Sequence, residues 1–98
     1  MTEKRAFELI AASLEKLRKS GMLSAGAAVK SDTILLGIGS PLDSIGFVTF
    51  VTDLEERVST ETGRELYLVL NEINEFNINQ PNLKVEALAR YVVTLSAR

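Results

Sequence analysis

The chain contains no cysteine and no histidine. The first absence removes disulfides, thiolate metal sites and cysteine nucleophiles. The second removes the usual general base at neutral pH and the commonest metal ligand. Neither a Ser-His-Asp hydrolase nor a zinc enzyme can therefore be assembled from these 98 residues alone. A serine hydrolase using Lys30 or an acid as base has no supporting spacing, so no catalytic residue and no resident metal are expected. Long apolar runs are missing as well. Ile34-Leu35-Leu36-Gly37-Ile38 falls far short of the ~20 residues that a transmembrane helix needs. Met1-Thr2-Glu3-Lys4-Arg5 leads into Ala6-Phe7-Glu8 instead of a signal-peptide core. A cytoplasmic protein without a membrane partner is the expectation.

What is present is the composition of an ordinary globular protein, 46% apolar and 24% charged. A chain of this length forms one domain, residues 1–98, hiding roughly 60 to 70% of the surface its unfolded form exposes. Charge is unevenly spread. Residues 1–20 carry five basic and three acidic side chains, whereas residues 42–63 carry Asp43, Asp53, Glu55, Glu56 and Glu61 against Arg57 alone. An acidic surface of that kind repels nucleic acid and steers encounter with partners that have a basic docking face.

The apolar periodicity predicts an all-α fold: a small bundle of three main helices plus one short helix, with a long loop between the first and second helices. Over residues 2–19, Phe7, Ile10, Leu14 and Leu17 recur at helical spacing, Ala11 widens the stripe, and Gly21 after Lys16, Arg18 and Lys19 stops the helix. Residues 22–42 hold four glycines, a proline and several serines and read as a structured loop whose Ile34, Leu35, Leu36 and Ile38 plug the core. A second helix spans about residues 45–59, its core stripe being Phe47, Phe50, Val51, Leu54 and Val58. Glu61-Thr62-Gly63 ends it. Leu66-Tyr67-Leu68-Val69-Leu70 reads as an extended entry to a short helix near residues 71–77 that carries Ile73 and Phe76 inward. After Pro81-Asn82, residues 83–97 form the closing helix, with Val85, Leu88, Ala89, Val92, Val93 and Leu95 on its apolar side.

Asp43-Ser44 sits at the mouth of the second helix. Asp43 suits an N-cap, its carboxylate accepting an amide hydrogen from Ile45 or Gly46, an interaction typically worth ~1 kcal/mol. Ser44 then takes the first helical position, with its hydroxyl expected in solvent at the positive end of the helix dipole, where a phosphate ester is tolerated. Asp43 is also a hard oxygen ligand beside that hydroxyl, so a transferase could use it to share a magnesium ion already holding a donor pyrophosphate. Both residues equally read as a plain helix start, and Ser40-Pro41-Leu42-Asp43 as a capping box one turn earlier. Ile45 falls opposite the core stripe among Thr49, Thr52 and Glu56, with Val48 on its flank. An apolar side chain among polar ones beside a modifiable serine is a candidate contact for visiting proteins.

The run Asp32-Thr33-Ile34-Leu35-Leu36-Gly37-Ile38-Gly39-Ser40-Pro41-Leu42-Asp43-Ser44-Ile45-Gly46-Phe47-Val48, followed by Leu54-Glu55 in the same helix, resembles the acyl carrier protein family. Members of that family bear 4′-phosphopantetheine on the serine of an Asp-Ser-Leu or Asp-Ser-Ile motif. The likeness covers nearly the whole chain, through the Val-Glu-Ala-Leu-Ala-Arg-Tyr-Val helix of residues 85–92. It implies that Ser44 takes the arm from coenzyme A and that the arm's thiol holds acyl groups as thioesters for fatty-acid, polyketide or related biosynthesis. The protein itself would not be an enzyme.

The same resemblance assigns Asp43, Ile45, Val48, Thr52 and Glu56 to contacts with a phosphopantetheinyl transferase and with acyl-loading and acyl-processing enzymes, and it favours a monomer. Three departures stand out. Thr49 and Thr52 occupy places where many fatty-acid carriers have an acid and a large apolar residue, which implies partners other than those of bulk fatty-acid synthesis. Residues 65–82 form a longer stretch than in the common carriers. Gly46 is expected to leave room for the arm or for a partner surface, at a helical cost of up to ~1 kcal/mol relative to alanine. The alternative from another class is an unmodified helical interaction module that binds a partner through the face around Ile45.

Overall fold

A computed structural model of the chain describes residues 1–21, 30, 32–36, 44–76 and 82–97, without the side chains of Leu36, Ser44, Leu70, Asn74 and Phe76. Within these residues the order is α1 (Glu3–Lys19), β1 (Ile34–Leu36), α2 (Ser44–Thr62), α3 (Leu70–Phe76), β2 (Leu83–Lys84) and α4 (Val85–Ser96). The small helical bundle expected from the apolar periods is the architecture found. A two-stranded sheet is added to it.

Each boundary has a local cause. Thr2 is extended (φ −89°, ψ 159°), and its hydroxyl accepts the Arg5 amide at 3.1 Å, satisfying a donor that the first turn of α1 cannot. The last turn of α1 carries Lys16, Arg18 and Lys19 against the negative end of the dipole, and Gly21 follows at φ +84°, in the left-handed region. Gly63, at φ +68°, plays the same part after α2. Lys84, extended at φ −101° and ψ 159°, precedes α4.

The core joins all four helices. α1 packs on both α2 and α4, and α3 rests on α4. From α2 come Phe47, Phe50, Val51, Leu54 and Val58, all buried as their spacing predicts. α4 contributes Val85, Leu88, Ala89, Val92 and Leu95, with Val93 packed at the margin, and also Ala87 and Tyr91, which the apolar stripe omitted. In α1 the buried face is Ala6, Leu9, Ile10, Ser13, Leu14 and Leu17, while Phe7 and Ala11 are only half-buried. A helix wedged between two others buries a wider arc than a single stripe.

The predicted loop over residues 22–42 and the predicted helix start at residue 83 are both corrected by the sheet. β1 and β2 are antiparallel, pairing Ile34 with Lys84 and Leu36 with Leu83 across an irregularity. The Val85 amide donates to the Thr33 carbonyl at 2.9 Å. Leu35 is fully buried beneath this pairing, so the apolar run does plug the core there, and Leu83 is buried with it. The backbone of a buried apolar run needs hydrogen-bond partners, and the extended residues before α4 supply them. Ile38 lies outside the described residues. α3 buries Ile73 as expected, whereas the Phe76 side chain lies outside the description.

Candidate functional site

α2 starts at Ser44, so a group attached there would stand at the positive end of a 19-residue helix. Asp43, with its proposed capping and metal-sharing roles, lies outside the described residues, as does the hydroxyl of Ser44. From Ser44 onward the two sides of α2 separate cleanly. Ile45 is 72% exposed and Val48 57%, with Thr52 and Glu56 exposed further along the same side. Steps of three, four and four residues carry this line down one face of the helix. The structure thus brings together Ile45, Val48, Thr52 and Glu56, the four residues singled out for partner contact. Gly46 is buried, so a side chain at that position would not enter open solvent.

The threonines on this side engage the helix itself. Thr49 and Thr52 donate from Oγ1 to the carbonyls of Ile45 and Val48, each at 2.9 Å. Those bonds direct the hydroxyl protons inward and leave the methyl groups to shape the surface beside Ile45 and Val48. Between Val48 and the chain that follows α2 lies a cleft of about 180 Å³, lined by Phe47, Val48, Val51, Thr52, Glu55 and Leu68. Four of its six lining residues are apolar.

The acidity around the serine is distributed differently from what the charge tally implied. Asp53 faces α1, where it accepts from Lys16 Nζ at 3.0 Å and from Arg57 Nε at 2.7 Å. Burial works against its charge, but the bonds from Arg57, Ser13 and Lys16 outweigh that and hold the carboxyl below its ordinary range. Glu61 takes two bonds from Arg5 of α1, at 2.7 and 2.8 Å, and the same pairing lowers its pKa and raises that of Arg5. Glu55 Oε2 accepts the Leu68 amide at 2.9 Å. Of the four described acids in residues 42–63, Glu56 makes none of these bonds and is left for an outside partner.

Sequence reasoning missed the tie between α2 and the segment after it. Besides Glu55, the Ser59 hydroxyl accepts the Leu66 amide at 3.0 Å and donates to the Leu66 carbonyl at 3.1 Å. Its only advance signal was the pattern at residues 66–69, where Leu66 and Leu68 turn inward while Tyr67 and Val69 stay exposed.

Among the described residues no cluster of three or more acidic, histidine or cysteine side chains could hold a metal ion, and no helix is long and apolar enough to cross a membrane. No family model matches the chain, and no curated protein or solved structure matches it.

Proposed function

We propose that this chain is an acyl carrier protein whose tether point is Ser44. The observation that carries the reading is positional. Ser44 opens a long helix whose outward side begins immediately with an exposed isoleucine and continues through Val48, Thr52 and Glu56. The helix start suits a phosphodiester, since backbone N–H groups and the dipole favour negative charge there. The neighbouring apolar face suits proteins that must recognise the site and then leave.

On this reading Ser44 Oγ forms a bond to phosphorus of the coenzyme A pyrophosphate while the bridging P–O bond breaks. Adenosine bisphosphate departs, and the hydroxyl proton passes to a base on the transferase, because this chain has no histidine to receive it. Once attached, 4′-phosphopantetheine supplies a terminal thiol that holds an acyl group as a thioester. Asp43 would sit where a transferase-bound magnesium ion meets the acceptor, and Ile45, Val48, Thr52 and Glu56 would meet the transferase and the acyl-processing enzymes in turn. Such a carrier works in the cytoplasm, serving fatty-acid, polyketide or related biosynthesis.

Intact mass after coexpression with a phosphopantetheinyl transferase tests the proposal. One arm should be added to the native chain and none to Ser44→Ala. A native chain that stays unmodified while still binding a protein through Ile45 would establish the interaction-module reading instead.

A further inference from the structure

We propose that Glu55 and Ser59 latch residues 64–69 as a gate over the α2 cleft, and that opening this gate admits an aliphatic group. The identity of the natural occupant rests on the carrier reading; the latch itself does not.

The geometry is a matched repeat. Gly63 turns the chain after α2, and the segment that follows runs back along the helix, with Leu66 bonded to Ser59 and Leu68 to Glu55. One helical turn advances about 5.4 Å, and two extended residues advance about 6.6 Å. Side chains one turn apart on α2 can therefore reach alternate residues of the segment. An extended segment with no sheet partner needs some acceptor for its amides, and the carboxylate and hydroxyl of α2 serve in place of a second strand. The same register sends Leu66 and Leu68 into the core. Tyr67 and Val69 are left outside, 57% and 40% exposed.

The ladder ends where the cleft begins. One turn before Glu55 stands Val51, which has no polar group to continue the series, and Val51 and Leu68 both line the cleft. Glu55, the one charged residue in that lining, is already engaged with the Leu68 amide. Release of Leu68 would widen the cleft toward the core, between side chains that are apolar on both walls. Val48 and Thr52 form its outer rim on the face that starts at Ser44, so a chain tethered there reaches the entrance within one to two helical turns. Glu55 and Ser59 act as positioning residues: they touch the segment and not the guest.

The test needs no modification of Ser44, so its failure is distinguishable from failure of the carrier reading. Amide hydrogen exchange at Leu66 and Leu68 is compared with that at Val92 in the core of α4, in the native chain, Glu55→Gln, Glu55→Ala and Ser59→Ala. Methyl NMR shifts of Val51 and Leu68 are followed as xenon, an inert apolar guest, is dissolved. Glu55→Ala should raise exchange at Leu68 about tenfold beyond any change at Val92 and enlarge the xenon-induced shifts. Glu55→Gln, which keeps an acceptor oxygen and serves should the alanine variant fail to fold, should fall between. Exchange at Leu68 that tracks Val92 in every variant would overturn the latch. Faster exchange at Leu68 with unchanged xenon shifts would overturn the gate.

Discussion

The two sides of α2 use similar residues to opposite ends. Phe47, Phe50, Val51, Leu54 and Val58 are buried, and Ile45 and Val48, no less apolar, stand in solvent. Composition cannot tell these groups apart; their angular positions on the helix do. The inward side is held by packing against α1 and α4, and the outward side is held by nothing beyond its own helix, with Thr49 and Thr52 bonded to the turn before them. Such a division lets the recognition surface change without disturbing the fold. The chain can then keep one core while its outward face adapts to several partners.

The sharpest way to break that comparison is to truncate one buried residue. Phe50, fully buried and tilted against Phe47 with ring centroids 6.2 Å apart, should cost about 3–5 kcal/mol as Phe50→Ala. Domains of this size have only about 5–15 kcal/mol in all. Urea unfolding followed by circular dichroism would show the midpoint collapse. A loss below about 1 kcal/mol would mean that α2 is not anchored by this face.

Between the two sides lies Asp53, and its effect should be smaller and depend on pH. Its folded pKa is depressed below the ordinary 3.8 by Arg57, Ser13 and Lys16 acting against burial. The stabilisation is therefore complete above that ordinary value and disappears as pH falls through the lower folded value. Asp53→Asn should cost about 1–2 kcal/mol at pH 7, since its cationic partners are partly in solvent. It should also flatten the fall in stability below about pH 4. Parallel unfolding curves for native and variant chains across that acid range would refute the assignment.

How far the sequence foretold these features depends on the range of the interaction. The sides of α2 were legible because a 3.6-residue period lies within one segment, and the helix ends were legible because Gly21 and Gly63 occupy left-handed positions that few other residues accept. The pairing of Ile34–Leu36 with Leu83–Lys84 was not, since two or three residues show no alternation and the partner is distant in the chain. Tyr91 was passed over because a phenol reads as an exposed tip, yet its ring is buried. Charge counting located the acids but not their directions. That Asp53 and Glu61 face α1, and that Glu55 and Ser59 hold the returning segment, depends on how helices and turns meet in space. For the candidate site, Ser44 at the head of α2 and the exposed line from Ile45 to Glu56 followed from local periodicity alone.

The outward side gives the smallest effect on folding and the most discriminating one on function. Ile45→Ala removes a side chain that is 72% exposed, so stability should change by less than about 0.5 kcal/mol. If that face receives the transferase, kcat/KM for loading Ser44 should nonetheless fall about fivefold or more, because even an exposed residue contributes once a partner desolvates it. Phe50→Ala, measured under conditions where it remains folded, should load at close to the native rate. The two variants would then have exchanged their effects, one on the fold and one on recognition. An Ile45→Ala chain that loads as fast as the native protein would mean that the apolar residue beside the serine is ordinary surface, and that transferase recognition lies elsewhere on the molecule.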